Sequence, residues 1–233
     1  MRRMSGRRRA RHVSLPLLIA LAAGMLAPGM MHFFEKKTQE TAAWGNLNIA
    51  KEVALTFDDG PNRCYTPEVL EILKENEIPA TFFLQGQCLA GNEDLVRRMK
   101  KEGHLIGNHT FHHIQLTKVT EEEARDEVVK TSNAIYEITG TYPVYIRPPF
   151  GEWREGLDLA VTMIPVLWDV DSRDWESQNT EAICRTVLPS VNDGSIILMH
   201  DGYRATVEAL RRIVKELKEE GYTFVTVREL IEE

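Results

Sequence analysis

Two adjacent acids, Asp58 and Asp59, close an apolar run, Val53-Ala54-Leu55-Thr56-Phe57, and are followed by Gly60-Pro61. Acids before Gly-Pro make an ordinary turn. At a buried strand end, however, two neighbouring carboxylates repel each other, and a cation relieves that cost while leaving one of them to handle a proton. His109 and His113 are four residues apart, a spacing that a helical turn would place on one side. Two imidazoles with one carboxylate, from Asp58 or Asp59, form a three-ligand set that keeps positions open for water. His112 lies between them as a bystander, and His104 reads as a structural residue at a strand start. Arg147 follows another apolar segment and reads as the partner that holds one aspartate ionised. His200 follows Ile196-Ile197-Leu198-Met199. Alone it would be a core histidine; beside a metal and a base it becomes a proton donor for a leaving group, oriented by Asp174 or Asp171. Trp175 and Leu198 offer apolar walls or ordinary core packing.

These residues share a position in the elements that must carry them. Strands are expected over Val53–Phe57, Ala80–Leu84, His104–Gly107, Val144–Ile146, Ile164–Asp169, Ser195–Met199 and Thr223–Val227. Helices are expected between them. One has Thr66 as N-cap and Pro67 in its first position. A second opens at Asn92, with Glu93 and Asp94 at its positive end, and stops at Gly103. The longest opens with the capping box Thr120/Glu123 and lays Ala124, Val128, Thr131, Ile135 and Ile138 along one face. Two more run from about Thr180 to Leu188 and from about Thr206 to Glu220, and a short helix ends the chain. Strands alternating with helices imply a mostly parallel sheet. The expected fold is therefore α/β: a distorted (β/α) barrel of about seven mostly parallel strands, a single domain over residues 51–233. In such folds the strand C-termini form the face that carries the active site. Asp58-Asp59, His109/His113, Arg147, Asp171/Asp174 and His200 all follow strand ends. No Gly-rich phosphate loop follows the first strand, which weighs against nucleotide binding.

Residues 1–34 carry six arginines and no acid, leaving 22 basic against 35 acidic residues in the remainder. So acidic a body has no attraction for nucleic-acid phosphates. The arginines precede a 19-residue, largely apolar stretch, Val13–Met31. It reads as an uncleaved membrane anchor or a cleaved signal segment, with Pro28-Gly29 able to end a shorter helix. Either way the arginines stay cytoplasmic and the body is exported, membrane-anchored or secreted. Residues 35–50 read as a polar linker. Three cysteines, Cys64, Cys88 and Cys184, leave at least one unpaired; Cys64 and Cys88 either pair or stay free thiols.

Five motifs in order resemble those of the polysaccharide deacetylases, carbohydrate esterase family four, with the NodB-homology domain: Thr56-Phe57-Asp58-Asp59-Gly60-Pro61, His109-Thr110-Phe111-His112-His113, Arg147-Pro148-Pro149-Phe150-Gly151, Asp171-Ser172-Arg173-Asp174-Trp175 and Leu198-Met199-His200. The resemblance spans about residues 50–230. It implies that Asp59, His109 and His113 bind a divalent metal, usually zinc, with cobalt, nickel or manganese as alternatives. It also implies Asp58 as general base steadied by Arg147, and His200 as general acid oriented by Asp174. Trp175 and Leu198 would line an acetyl pocket, and the Phe150 N–H would hold an oxyanion. The family often has Tyr where this chain has Phe150, so a hydroxyl contact to sugar is lost. The implied activity is hydrolysis of N-acetyl groups on an extracytoplasmic glycan, peptidoglycan or a chitin-like oligosaccharide, by a monomer. An O-acetyl esterase or small-amide hydrolase on this fold, or a non-catalytic glycan-binding protein, are the alternatives.

Overall fold

The computed structural model describes residues 51–232. The expected leader or anchor over residues 1–34 and the linker over 35–50 lie outside the described residues. Among the described residues no helix is long and apolar enough to cross a membrane.

Strand β1 (Lys51–Asp58) is buried from Val53 to Asp58, as a parallel strand covered on both faces requires. Then follow α1 (Thr66–Glu75), β2 (Thr81–Leu84), α2 (Glu93–Lys101), β3 (Leu105–Asn108), α3 (Glu121–Thr139), β4 (Tyr145–Ile146), β5 (Ile164–Pro165), β6 (Val170–Asp171), α4 (Asp174–Ser177), α5 (Thr180–Val187), β7 (Ser195–His200), α6 (Arg204–Glu219), β8 (Tyr222–Val225) and α7 (Val227–Glu232). Every strand pairing is parallel, in the order β5-β4-β3-β2-β1-β7-β6, with β8 on the first half of β1.

The period of two along β1 sorts its side chains. Val53, Leu55 and Phe57 join the large core beneath the outer helices. Ala54 joins a small inner cluster with Phe83, Tyr145, Val166 and Val227. Thr56 and Asp58 share the parity of Ala54, so they continue the inner row up to the strand end. On β7, Ile197 and Met199 face the outer core, while Ile196 packs on the inner cluster. Leu198 and His200 follow Ile196 in that inner row.

The strand expected over Ile164–Asp169 is instead two short strands at opposite edges of the sheet. β5 pairs with β4 and β6 pairs with β7. The residues between them, Val166 to Asp169, close the barrel as a crossing segment, which raises the count to eight strands. Val166 N–H still donates to Ile146 O at 2.8 Å and Asp169 N–H to Ile196 O at 3.3 Å. Arg147 fills the gap between, its Nε donating to Val166 O (3.1 Å) and its Nη2 to Leu167 O (3.0 Å).

The capping box at Thr120/Glu123 forms as the sequence implies, with Gly140 closing α3 in the left-handed region. Thr66 is not the N-cap of α1: the helix starts at Thr66, with Tyr65 before it. Its hydroxyl accepts from Asn62 N–H at 2.7 Å and donates to Asp201 Oδ2 at 2.5 Å, so a tertiary partner has taken the cap. Helix α6 begins at Arg204 rather than Thr206, whose hydroxyl is bonded to Asp174. All three cysteines are free, Cys64 exposed, Cys88 half-buried and Cys184 buried, so Cys64 and Cys88 form no bridge.

Candidate active site

The strand ends place eight of the ten candidate residues around one cavity of about 480 Å³: Asp58, Asp59, His109, His113, Phe150, Trp175, Leu198 and His200, joined by Pro148, Trp168 and Asp171. Arg147 and Asp174, the other two, are fully buried behind its wall.

Asp59 leaves β1 with φ 71°, a left-handed turn that swings its carboxylate away from that of Asp58. Its Oδ1 lies 3.4 Å from His109 Nε2 and 3.5 Å from His113 Nε2. One ligand atom from each of the three residues falls within 4.8 Å of the others. His109 Nδ1 is 2.6 Å from Arg147 O. A carbonyl only accepts, so Nδ1 carries a hydrogen, and Nε2, the nitrogen that faces Asp59, is the atom free to ligate a cation. This donor set fits a divalent cation with nitrogen and oxygen ligands and open positions. Burial alone would raise the Asp59 carboxyl, but His109, His200 and His113 together hold it well below the usual carboxylate range. Burial pushes the His113 imidazole down, with His109 adding to the effect. Both directions keep the ligand atoms deprotonated.

His109 and His113 do not share a helical turn. Thr110 (φ 60°) and His113 (φ 58°) are both left-handed, so residues 109–113 form a loop. Glu127 on α3 accepts from Phe111 N–H (2.9 Å), His112 N–H (2.7 Å) and the His112 ring (2.6 Å). His112 is thus turned to Glu127 and stays outside the cavity lining. His104 is buried and also outside it; its Nδ1 accepts from Ala80 N–H at 3.2 Å. Burial takes its pKa down to about 4, so it is a neutral structural residue.

Arg147 Nη1 donates to Asp58 Oδ1 at 2.9 Å and to Thr56 Oγ1 at 2.6 Å. The guanidinium also lies over the Phe83 ring at 4.3 Å. Asp58 Oδ2 is left facing the ligand set, 3.8 Å from His109 Nε2. At the other end of the set, His200 Nε2 stands 4.0 Å from Asp59 Oδ2. Its Nδ1 bonds Asp174 Oδ1 at 2.7 Å, and Asp174 Oδ2 accepts from His200 N–H (2.7 Å) and Thr206 Oγ1 (2.7 Å). Burial would depress the His200 pKa, but the bond to Asp174 and the charges of Asp174, Asp58 and Asp59 carry it to about 9. Asp174, not Asp171, is therefore the residue that orients His200; Asp171 instead accepts from Arg173 N–H at 2.9 Å.

Trp175 and Phe150 are half to largely exposed on the rim. The Phe150 ring meets the His113 ring edge-on at 4.8 Å. Its φ of 62° breaks the short turn Pro149–Gly151, a strained conformation of the kind found at functional sites. Leu198 is buried at the cavity floor.

Sequence reasoning missed Asp201 and Trp168. Asp201 is buried beside His200 and packs so closely on Gly60 that a Cβ there would lie 2.6 Å from both carboxylate oxygens. Burial raises it to about 7, against the hydrogen bond from Thr66. The adjacency His200-Asp201 was the available signal. Trp168 sits in the crossing segment, which the expected continuous strand concealed.

The chain belongs to the polysaccharide deacetylase family, whose model matches residues 47–163. That match ends before Asp174 and His200, which the structure nonetheless brings to the same cavity. Peptidoglycan-N-acetylglucosamine deacetylase PgdA of Listeria monocytogenes is 39% identical over 180 residues, 77% of this chain and 39% of that protein. Peptidoglycan-N-acetylmuramic acid deacetylase PdaC of Bacillus subtilis is 40% identical over 182 residues, 78% of this chain and 39% of that protein. A solved structure of PdaC gives a TM-score of 0.76 at 39% identity, covering 78% of this chain and 91% of that one. A wild-type CE4 family pseudoenzyme from Bacillus anthracis gives 0.73 at 31% identity, over 78% of this chain and 65% of that one. The match thus spans about two fifths of the length of the two curated relatives. Deacetylases of this family are metal-dependent, and Asp59, His109 and His113 form a His/Asp site able to hold the ion.

Proposed function

We propose that the chain is a zinc-dependent N-deacetylase acting on an extracytoplasmic glycan, peptidoglycan or a chitin-like oligosaccharide, at N-acetylglucosamine-type residues. The observation that carries this reading is the placement of a buried Asp58–Arg147 pair and a buried His200–Asp174 pair at two ends of one His/Asp set in a single cavity. A glycan-binding protein has no need of two opposed proton-handling groups. The pseudoenzyme among the structural neighbours shows that fold alone does not confer activity, so the claim rests on these residues.

Asp59, His109 and His113 would hold the metal, which when bound polarises an acetyl carbonyl and lowers the pKa of water. Asp58 Oδ2, with Oδ1 tied to Arg147, accepts the proton of the attacking water. The Phe150 N–H donates to the oxygen of the tetrahedral centre. His200 Nε2 donates its proton to the sugar nitrogen as the carbon–nitrogen bond breaks, since an amine anion cannot leave. Asp174 retains the Nδ1 hydrogen and the ring orientation throughout. Leu198 and Trp175 enclose the acetyl methyl. Products are acetate and a free amino sugar.

The arginine cluster and apolar stretch in residues 1–34 support export, with the body anchored or secreted. The relatives support a cell-wall glycan, and their names cover both N-acetylglucosamine and N-acetylmuramic acid. Incubating the zinc-loaded protein with matched N-acetyl and O-acetyl oligosaccharides, and measuring acetate and free amine, tests the reading. Equal amounts of acetate and amine from the N-acetyl series are expected. Release from O-acetyl substrates alone makes the protein an esterase, and glycan retention without any acetate makes it a binder.

A further inference from the structure

The turn after β2 touches both ligand-bearing segments. Gln85 Nε2 donates to Asp59 Oδ1 at 2.6 Å, and Gln85 N–H donates to Gly60 O at 3.1 Å. On the other side, Gly86 N–H donates to Thr110 O and Gln87 N–H to Phe111 O, both at 3.0 Å. These carbonyls belong to the loop that carries His109 and His113. The approach is too close for a side chain at Gly86, where a Cβ would lie 2.2 Å from the Phe111 ring and 2.6 Å from Thr131 Oγ1.

The Gln85 amide has one orientation open to it. A carboxylate only accepts, so Nε2 must face Asp59. Its Oε1 accepts from Gln87 Nε2 at 2.7 Å, which locks the amide in place. Gln85 itself is buried, whereas Gln87 is exposed. The contacted atom, Oδ1, is the one that faces both imidazoles. A carboxylate oxygen has two lone-pair directions: the amide takes one, leaving the other for a cation shared with His109 and His113, whose Nε2 atoms lie 3.4 and 3.5 Å away. The left-handed backbone of Asp59 persists only where its surroundings over-determine it, and Gln85 supplies two of those constraints.

We propose that Gln85 is a positioning residue for the metal site: with Gln87, it sets the direction and spacing of the Asp59 carboxylate relative to the two imidazoles, and so sets divalent-cation affinity. This rests on the reading of Asp59, His109 and His113 as metal ligands. Hydrogen-bonded partners of metal ligands change affinity by about 10–100-fold when removed.

The test uses the full chain, stripped with a chelator and titrated with Zn2+ against a chromophoric competitor, in wild type, Gln85→Leu, Gln87→Leu and Asp59→Asn. The thermal midpoint of each metal-free protein is measured alongside. Wild type should bind Zn2+; Gln85→Leu should bind about 10–100-fold more weakly with an unchanged metal-free midpoint. Gln87→Leu should weaken binding in the same direction but less. The visible absorption of the Co2+-loaded Gln85→Leu protein should differ from wild type, because the carboxylate ligand is reoriented. Equal Zn2+ affinity in wild type and Gln85→Leu overturns the proposal. So does a loss of affinity that merely tracks a fallen metal-free midpoint. If Gln85→Leu does not fold, Gln87→Leu decides: wild-type affinity there rejects the role. Failure of wild type itself to bind, indistinguishable from Asp59→Asn, instead removes the metal reading on which the role depends.

Discussion

Within His200 the two ring nitrogens have separate tasks: Nδ1 is tied to Asp174 and Nε2 faces the cavity. A general acid must be protonated before the leaving group departs. Burial works against that state, but Asp174 first, then Asp58 and Asp59, lift the pKa to about 9. The raised value means the ring is protonated below about pH 9 and loses its proton as pH rises through it. The alkaline limb of kcat should therefore lie well above the ordinary imidazole range. Asp174→Asn removes the charge and leaves one amide oxygen in place of two carboxylate oxygens, so the limb should move down toward about 6.5, with a lower plateau. A pH–rate profile of the two proteins checks this; an unmoved limb assigns the proton to another group. At Asp201 burial acts the other way, in favour of the protonated state. Burial raises this carboxyl from 3.8 to about 7, so the folded state keeps a proton that the unfolded chain releases. Stability from this group is present at low pH and lost as pH rises from about 4 to 7. Asp201→Asn cannot titrate, so the stability of wild type relative to the variant should fall across that window and level off above it. Denaturant unfolding of the metal-free proteins at several pH values measures the difference.

Elements carry these groups with different tolerances. The β1 end turns through Asp59 and Gly60, and Gly60 faces the Asp201 carboxylate. Asp201 is pinned by Thr66 and cannot swing aside. Gly60→Ala should therefore cost about 1–3 kcal/mol by overpacking and lower acetate release, because the displaced turn bears Asp59. Thermal unfolding and turnover should fall together. At α3 the effects separate. Thr120→Ala removes the capping box at an exposed end remote from the cavity lining. The expected cost is about 1 kcal/mol, a fall of about 2–4 °C in Tm for a chain of this size, with acetate release unaltered. The sequence revealed such elements unevenly. The α3 box and its apolar seam were legible because local rules set them. Strand-end chemistry was legible because β1 and β7 are long buried runs that end directly in Asp58-Asp59 and His200. The crossing at Val166–Asp169 was not, because an apolar run on the barrel's open side reads like a strand. Nor was the loop His109–His113, where Glu127, distant in sequence, holds Phe111 and His112 between the left-handed Thr110 and His113.

For the molecule as a whole, one inner row links its parts. Val227 and Phe83 fill the barrel; Arg147 rests on Phe83, ties Asp58 to the crossing segment, and offers its carbonyl to His109. The proposed base Asp58, the candidate ligand His109 and the barrel closure thus meet at one buried guanidinium, and the cavity opens where the strands end. Nine of the ten candidate residues could be found from sequence by their place at or near a strand end, and Phe150 by the motif Arg147-Pro148-Pro149-Phe150-Gly151 alone. Gln85 and Trp168 could not, and Asp201 only through its adjacency to His200, since their importance lies in contacts across the fold. The account depends most on Asp58 acting as a base separate from the metal ligands. Its direct test is acetate release from N-acetylglucosamine oligomers by zinc-loaded wild type and Asp58→Asn, with the zinc content of both proteins measured. The predicted result is full zinc retention in Asp58→Asn with turnover reduced about 10²–10⁴-fold. Near-normal turnover by the zinc-replete variant would contradict the account.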